Sequence, residues 1–390
     1  MDLPKLAVDN ICENSSVTRS PLPINKLPYM TNRKYSKLKA IDFFCGAGGM
    51  TAGFQQAGIH VLAGIDVDEE CKSTYESNNP ESLFIHADIK NLSFEYFEKT
   101  TKVRRNDDFL VFIGCSPCQY WSKIKTDKSK SAKSKNLLSN FQHFVKEYLP
   151  GFVVIENVPG LYTQRKSSPL NGFLKFLDKN NYNYKYAVLN FSHHGIPQTR
   201  KRFLLIASRV TDSIELPSPH LKTATVRDFI GPKCGFPSLS AGHTDKNTTL
   251  HTTAGLSEIN LRRIRSTPKN GGTRLTYVNN QCLAIPSQFK ITHSFSDTYG
   301  RMTWDKPAPT ITTKFVSLSN GRFGHPEQDR ALSLREGATL QTFDMTYVFH
   351  GNSIGSIARQ IGNAVPPLFS QQIASSIITS CPKKRTRMRT

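Results

Sequence analysis

The sequence is poor in paired cysteines. Of its eight, only Cys115 and Cys118 stand at a CxxC spacing, while Cys12, Cys45, Cys71, Cys234, Cys282 and Cys381 are isolated. With no second CxxC there is no four-cysteine zinc set, and no metal is expected. The pair then reads as half a zinc site, as a redox dithiol, or as one reactive thiol with an ordinary neighbour. Long apolar runs are missing too: no stretch approaches the roughly 18 residues of a membrane span. Residues 1–36 are polar and lack the apolar centre of a signal peptide, so a reducing, cytosolic compartment is expected and no membrane partner. Acidic residues are absent from 345–390, a segment that ends in Lys383, Lys384, Arg385, Arg387 and Arg389.

What is present in excess is positive charge. Lysine and arginine number 51 against 30 acids, a net charge of +21 on 390 residues. Residues 123–135 carry six lysines against Asp127 alone. Basicity on this scale points to a polyanion, most simply nucleic acid, although a basic tail is also an ordinary solvated segment. The terminal cluster has the composition of a nuclear-targeting run, which keeps a nuclear location beside the cytosolic one.

From Ala40 onward short apolar runs alternate with helical patterns. Residues 40–44, 60–65, 83–86, 109–113, 152–155, 186–190 and 203–207 read as strands, continuously apolar in the manner of parallel strands covered on both faces. Helices are expected over 70–78, 137–148 and 170–180, and a last one from Gly355 that Pro366 and Pro367 break before residues 368–378. The expected fold is α/β, doubly wound and Rossmann-like. Residues 209 to about 330 are rich in Thr, Ser, Pro, Gly and Asn, the composition of a second, loop-rich domain.

Cys118 follows the strand 109–113 in the run Gly114-Cys-Ser-Pro-Cys-Gln-Tyr-Trp-Ser122, ahead of the lysine-rich stretch. A thiol attacks only as thiolate, and an open, electropositive strand end favours that form. After the first strand comes Asp42-Phe-Phe-Cys-Gly-Ala-Gly-Gly-Met-Thr-Ala-Gly-Phe54. Glycines at a strand-to-helix turn admit a ligand close to the backbone. GxGxxG fails because Thr51 stands at its last position, so a pyrophosphate is disfavoured. Asp66 closes the second strand, where ribose hydroxyls of an adenosine cofactor would lie, and Asp88 follows the third, placed for an adenine amine. Each Asp alone could be a helix cap. Compatible groups at three successive strand ends favour a nucleoside-like ligand.

These residues, with Ser116-Pro-Cys-Gln119, Glu156-Asn-Val158, Gln198-Thr-Arg-Lys-Arg202, Arg335-Glu336, Leu340-Gln-Thr-Phe343 and Gln360-Ile-Gly-Asn-Ala-Val-Pro-Pro367, resemble in order the motifs of the C5-cytosine DNA methyltransferases. The resemblance runs from about Lys37 to the end of the last motif. It implies an S-adenosylmethionine-dependent enzyme, modifying a cytosine flipped out of double-stranded DNA, in the style of a restriction-modification system and acting as a monomer. It implies Cys118 as the nucleophile at C6, with Gln119 beside it. Glu156, protonated, would hold cytosine N3, Arg202 would contact the base carbonyl, and Arg200 would orient Arg202 or Cys118. Such general-acid help is worth roughly a hundredfold or more. Phe44, Gly46, Gly48, Asp66, Val67, Asp88, Ile89, Asn363 and Val365 would line the cofactor site.

Two positions depart from the family pattern: Val67, where an aromatic often covers the adenine, and Trp121, where Phe is usual. On this reading residues 37–208 and 346–390 form the catalytic domain, 209–345 the target-recognition domain, and 1–36 a disordered extension. Ser122, Lys123, Lys125, Arg262, Arg263, Arg265 and Arg274 are the expected DNA contacts, the first three on a loop that closes over the duplex, the arginines on the second domain. The alternatives are a tRNA cytosine-5 methyltransferase, whose Cys-Phe-Thr signature is absent, and a non-catalytic DNA-binding homologue, which would be expected to lose Cys118 or Glu156.

Overall fold

The structure, a computed structural model, describes residues 37–116, 136–164, 168–285 and 297–381. The 1–36 extension, the Cys118 loop with its lysines and the basic terminal cluster lie outside the described residues.

Seven strands form one sheet in the order β3-β2-β1-β4-β5-β7-β6. They are β1 (Lys39–Phe43), β2 (His60–Asp66), β3 (Leu83–His86), β4 (Leu110–Gly114), β5 (Phe152–Asn157), β6 (Asn183–Asn190) and β7 (Lys201–Ser208). Helices α1 (Gly49–Gln56), α2 (Lys72–Asn78), α3 (Phe94–Thr101), α4 (Leu137–Tyr148) and α5 (Leu170–Lys179) accompany the strands, and α6 (Glu258–Ser266), α7 (Leu334–Leu340), α8 (Ile354–Asn363) and α9 (Pro367–Ser380) follow. The expected helix break is present: α8 stops at Asn363 and Pro367 opens α9 at its first turn, where a missing N–H costs nothing.

Strand alternation sorts the core into two layers. Ile41, Phe43, Leu110, Phe112, Val153 and Ile155 pack with Phe97, Phe141, Phe144, Tyr148 and Phe173 on one face. Ala40, Val111, Ile113, Phe152 and Val154 pack with Met50, Phe54, Phe369, Ile373 and Ile377 on the other. The α1–α9 contact is close enough to need glycine: a Cβ on Gly53 would stand 2.4 Å from the Pro367 carbonyl and 2.3 Å from Ser370 Cβ.

One expectation is corrected. β1 to β5 pair in parallel, but β7 runs antiparallel to both β5 and β6. Only residues 191–200 link β6 to β7, too few for a parallel crossover. β7 is nevertheless buried over Phe203–Ser208, so its unbroken apolarity reports cover on both faces, not direction. β6, at the sheet edge, is half-exposed along its length.

Residues 209–345 contain little regular structure among those described. Their apolar residues, including Val226, Trp304, Ile311, Phe315, Phe323, Leu334 and Phe343, share one cluster with Ile357 and Ile361 of α8 and Ala47 of the glycine loop. Loop carbonyls lacking ladder partners must find donors elsewhere, and buried arginines supply them. Arg301 donates to the carbonyls of Ile264, Thr267, His325 and Gln328. Arg335 donates to those of Thr249, Asp344 and Tyr347. Arg330 grips Glu336 with two bonds of 2.7 Å, while Glu336 closes a capping box with Ser333 at the start of α7. This pairing holds Glu336 at about 2 despite burial, which by itself would raise it.

Candidate active site

The glycine loop bends sharply after β1. Phe44, Gly46 and Gly48 all have positive φ (67°, 50° and 86°), and only the glycines adopt that region without side-chain strain. Phe44 and Cys45 N–H groups donate to the Ile65 carbonyl (2.8 and 3.1 Å). Asp66 at the end of β2 accepts from Gly46 N (2.8 Å) and Asp68 N (2.9 Å). It therefore clamps the loop from both carboxylate oxygens. An added Cβ at Gly46 would meet nothing within 4 Å, so that side is open. Val67 is 64% exposed, Asp88 is exposed with Oδ1 accepting from Lys90 N, and Ile89 is buried. These groups share the carboxyl edge of β1, β2 and β3, and the open cradle with its carboxylates fits a nucleoside. Asn363 is exposed at the end of α8, and Val365 is buried just beyond it, with its carbonyl 2.3 Å from where a Cβ on Gly49 would lie.

Beneath the loop lies a network whose role the sequence reading left unassigned. Asp42, fully buried, accepts from Thr51 Oγ1 (2.8 Å); Thr51 meets Tyr75 OH (3.1 Å), and Tyr75 OH meets Ser82 (2.7 Å). Tyr347 OH donates to the Ala47 carbonyl at 2.6 Å. Burial pushes the Asp42 carboxyl up to about 7, against the hydrogen bond from Thr51. The available signal was an acid inside an otherwise apolar strand, Ala40-Ile-Asp-Phe-Phe44.

The second part of the site forms at the ends of β5 and β7. Glu156 is only 6% exposed, and Arg202 Nε lies 3.1 Å from its Oε1. No donor is aligned on that oxygen, so charge holds the pair and the carboxyl keeps hydrogen-bonding capacity. Burial lifts Glu156 above the usual carboxylate range, against the pull of Arg202 and Arg200. Asn157 Nδ2 donates to Ser116 O and Oγ (3.1 Å each), tying the motif of Glu156 to the residue two before Cys118. That role of Asn157 was not foreseen. Cys115 is held well above its ordinary range by burial, which suits an unreactive neighbour. Cys118, Gln119, Ser122, Lys123 and Lys125 lie outside the described residues.

Arg200, expected to orient Arg202 or Cys118, is buried and commits Nη1 to the carbonyls of Ile311 (3.1 Å) and Gly362 (2.9 Å). Of the expected DNA contacts, Arg262 and Arg265 are exposed on α6. Arg263 is a correction: it is buried, donates to Leu283 O, Ala284 O and Asn260 Oδ1, and stacks over Tyr299 at 5.1 Å. Its guanidinium is consumed inside the lobe and anchors α6. Arg274 is half-buried and donates to Thr298 Oγ1 (3.1 Å).

The sequence profile of the C-5 cytosine-specific DNA methylases matches residues 38–379. The chain belongs to that family. The methylase is similar to the Type II methylase M.HgiDII of Herpetosiphon aurantiacus, 39% identical over 86% of this chain and 94% of the relative. It is also similar to the Type II methyltransferase M1.HphI of Haemophilus parahaemolyticus, 33% identical over 87% of each. Among solved structures, a prophage-encoded E. coli protein described as a DNA modification methyltransferase superposes with a TM-score of 0.67 over 88% of this chain and 99% of that one, at 22% identity. S. pombe Dnmt2 gives 0.56 over 88% and 97%, at 17% identity. Those two likenesses establish the fold of the methylase. Its family uses S-adenosylmethionine as methyl donor. No helix among the described residues is long and apolar enough to cross a membrane.

Proposed function

We propose that this methylase modifies C5 of a cytosine flipped out of a specific duplex DNA sequence, as the modification partner of a restriction enzyme, in a reducing, cytosolic compartment. Residues 37–208 and 346–390 would carry the chemistry and residues 209–345 the target recognition, with Arg262 and Arg265 among the DNA contacts. The observation that carries this reading is Glu156: a buried carboxyl at a strand end, raised by desolvation, beside Arg202 and one residue from the Asn157 that tethers Ser116.

S-adenosylmethionine, when bound against Phe44, Gly46, Gly48, Asp66, Val67, Asp88, Ile89, Asn363 and Val365, supplies an electrophilic methyl group. Cys118 as thiolate adds to cytosine C6, and the ring's displaced electron pair collects toward N3 and C5. Glu156, protonated, donates to N3 and stabilises that charge. Arg202 donates to the base carbonyl. After methylation the C5 proton leaves to a base and the Cys118–C6 bond breaks, restoring the thiolate and the aromatic ring. Extracting the base costs a few kcal/mol of unstacking, which contacts to the backbone must offset.

Bisulfite sequencing of DNA from a host expressing the chain tests the reading. Protected cytosines in one sequence context are expected, and none with Cys118→Ser. No protection by the parent, or full protection by the variant, would count against it. Duplexes carrying 5-fluorocytosine should trap a covalent adduct, because fluorine at C5 cannot leave as a proton.

A further inference from the structure

Gln198 stands just ahead of β7, and its side chain is fully buried. Its Nε2 donates to Leu340 O (3.2 Å) and to Gln341 Oε1 (2.5 Å), and its Oε1 accepts from Ile311 N (3.3 Å). Gln341, also fully buried, donates through Nε2 to Ile361 O (2.6 Å) and Ala364 O (3.2 Å). Carbonyls only accept, so the Gln341 nitrogen must face them and its oxygen must face Gln198. The two amides thus form a directed relay.

The far end of the relay is the last turn of α8, where backbone carbonyls have no intrahelical donor. Gln341 takes Ile361 and Ala364, and Arg200 takes Gly362. These three carbonyls bracket Asn363, assigned above to the cofactor. There is no slack in the contact: a Cβ on Gly362 would stand 2.4 Å from Thr312 C and Thr313 N. The near end is Gln198, just ahead of β7, two residues before Arg200 and four before Arg202, which lies on Glu156. Thr199 N donates to Ala308 O (2.9 Å) and Ala308 N to Pro197 O (2.8 Å), fastening the same turn to the 308–313 segment.

We infer that Gln198 and Gln341 are positioning residues coupling the cofactor site to the base pocket, so that filling one site favours filling the other. The inference rests on the site roles proposed above. It follows from the connectivity: a shift of Asn363 on cofactor binding moves the α8 carbonyls, and both donors gripping them lead back to the strand that carries Arg202. Coupling of this kind is a ratio of affinities, typically 5- to 150-fold.

The test uses the full chain and labelled S-adenosylhomocysteine, bound with and without an excess of genomic DNA fragments, which hold the target whatever its sequence. The parent should bind the nucleoside at least fivefold more tightly on DNA. Gln341→Leu, close in size but without donors, should keep the DNA-free affinity within about threefold while the ratio falls toward one. By reciprocity its DNA affinity should stay within about threefold without the nucleoside and lose the same factor in its presence, while kcat falls roughly 10- to 100-fold, a pattern that general loosening would not give. Gln198→Met cuts the relay from the other side and leaves Gln341 on α8, so it reads the same ratio if Gln341→Leu folds poorly. A parent ratio of one, or a folded variant with the parent's ratio and kcat, overturns the inference. Because the ratio is read without turnover, an inactive parent would count against the proposed function while the ratio still decides the coupling.

Discussion

The sheet lobe and the loop-rich lobe solve one problem by different means. In the sheet lobe the backbone groups of β1 to β7 pair along ladders, so charged side chains are released to the strand ends, where Asp66, Glu156 and Arg202 lie. In residues 209–345 ladders among the described residues reduce to isolated bridges, and Arg301, Arg330 and Arg335 are drawn inside to serve carbonyls and Glu336. Under the proposed function Arg202 serves the chemistry, while Arg301, Arg330 and Arg335 are scaffold, as is Arg200 of the sheet lobe, which also serves carbonyls. A buried guanidinium is costly to desolvate, and only its several simultaneous bonds offset that cost.

The largest effect expected from this contrast is on chemistry. Glu156→Gln should lower kcat for methyl transfer roughly a hundredfold or more, with little change in thermal unfolding; comparable turnover would place the proton donor elsewhere. Next is stability in the other lobe. Arg301→Met leaves several carbonyls without donors and should cost about 3–5 kcal/mol in urea unfolding. Arg105→Met, which loses only the exposed pairs with Glu98 and Glu147, should cost about 1 kcal/mol or less. Equal costs would erase the distinction between the lobes.

A smaller effect should appear in pH dependence. Asp42 titrates near 7 in the fold against 3.8 outside it, so the folded state holds an extra proton between those values, and the residue's contribution to stability falls as pH rises through that window. Asp42→Asn removes this term, and the variant should gain on the parent between pH 5 and pH 8 in urea midpoints. A difference independent of pH would mean that Asp42 stays ionised. The smallest effect is on DNA: Arg262→Gln and Arg265→Gln should each lower the salt slope of binding by about one, whereas Arg263→Gln should act through stability, having left its internal carbonyls unserved.

Much of the sheet lobe was legible in advance because its signals are local. The apolar runs predicted strands within a few residues of those seen, and α4 matches its predicted span, since its amphipathic pattern places Leu138, Phe141, Phe144, Val145 and Tyr148 on one buried face. The strand-end acids fall where strand-to-helix turns set them. Strand direction was not legible, because apolarity reports burial and β7 is buried whichever way it runs. Nor was the difference among Arg262, Arg263 and Arg265, three neighbours of one type on one helix.

The sequence by itself determined which segments form the sheet, where the glycine turn lies and which groups stand at the strand ends; each depends on residues within a turn or two. Only the tertiary structure decided that Arg200 serves carbonyls 111 and 162 residues away, that Arg263 faces inward, and that Gln198 meets Gln341 across 143 residues. Whether a polar side chain reaches solvent, a ligand or a carbonyl depends on which distant backbone is packed against it, and no local pattern carries that information.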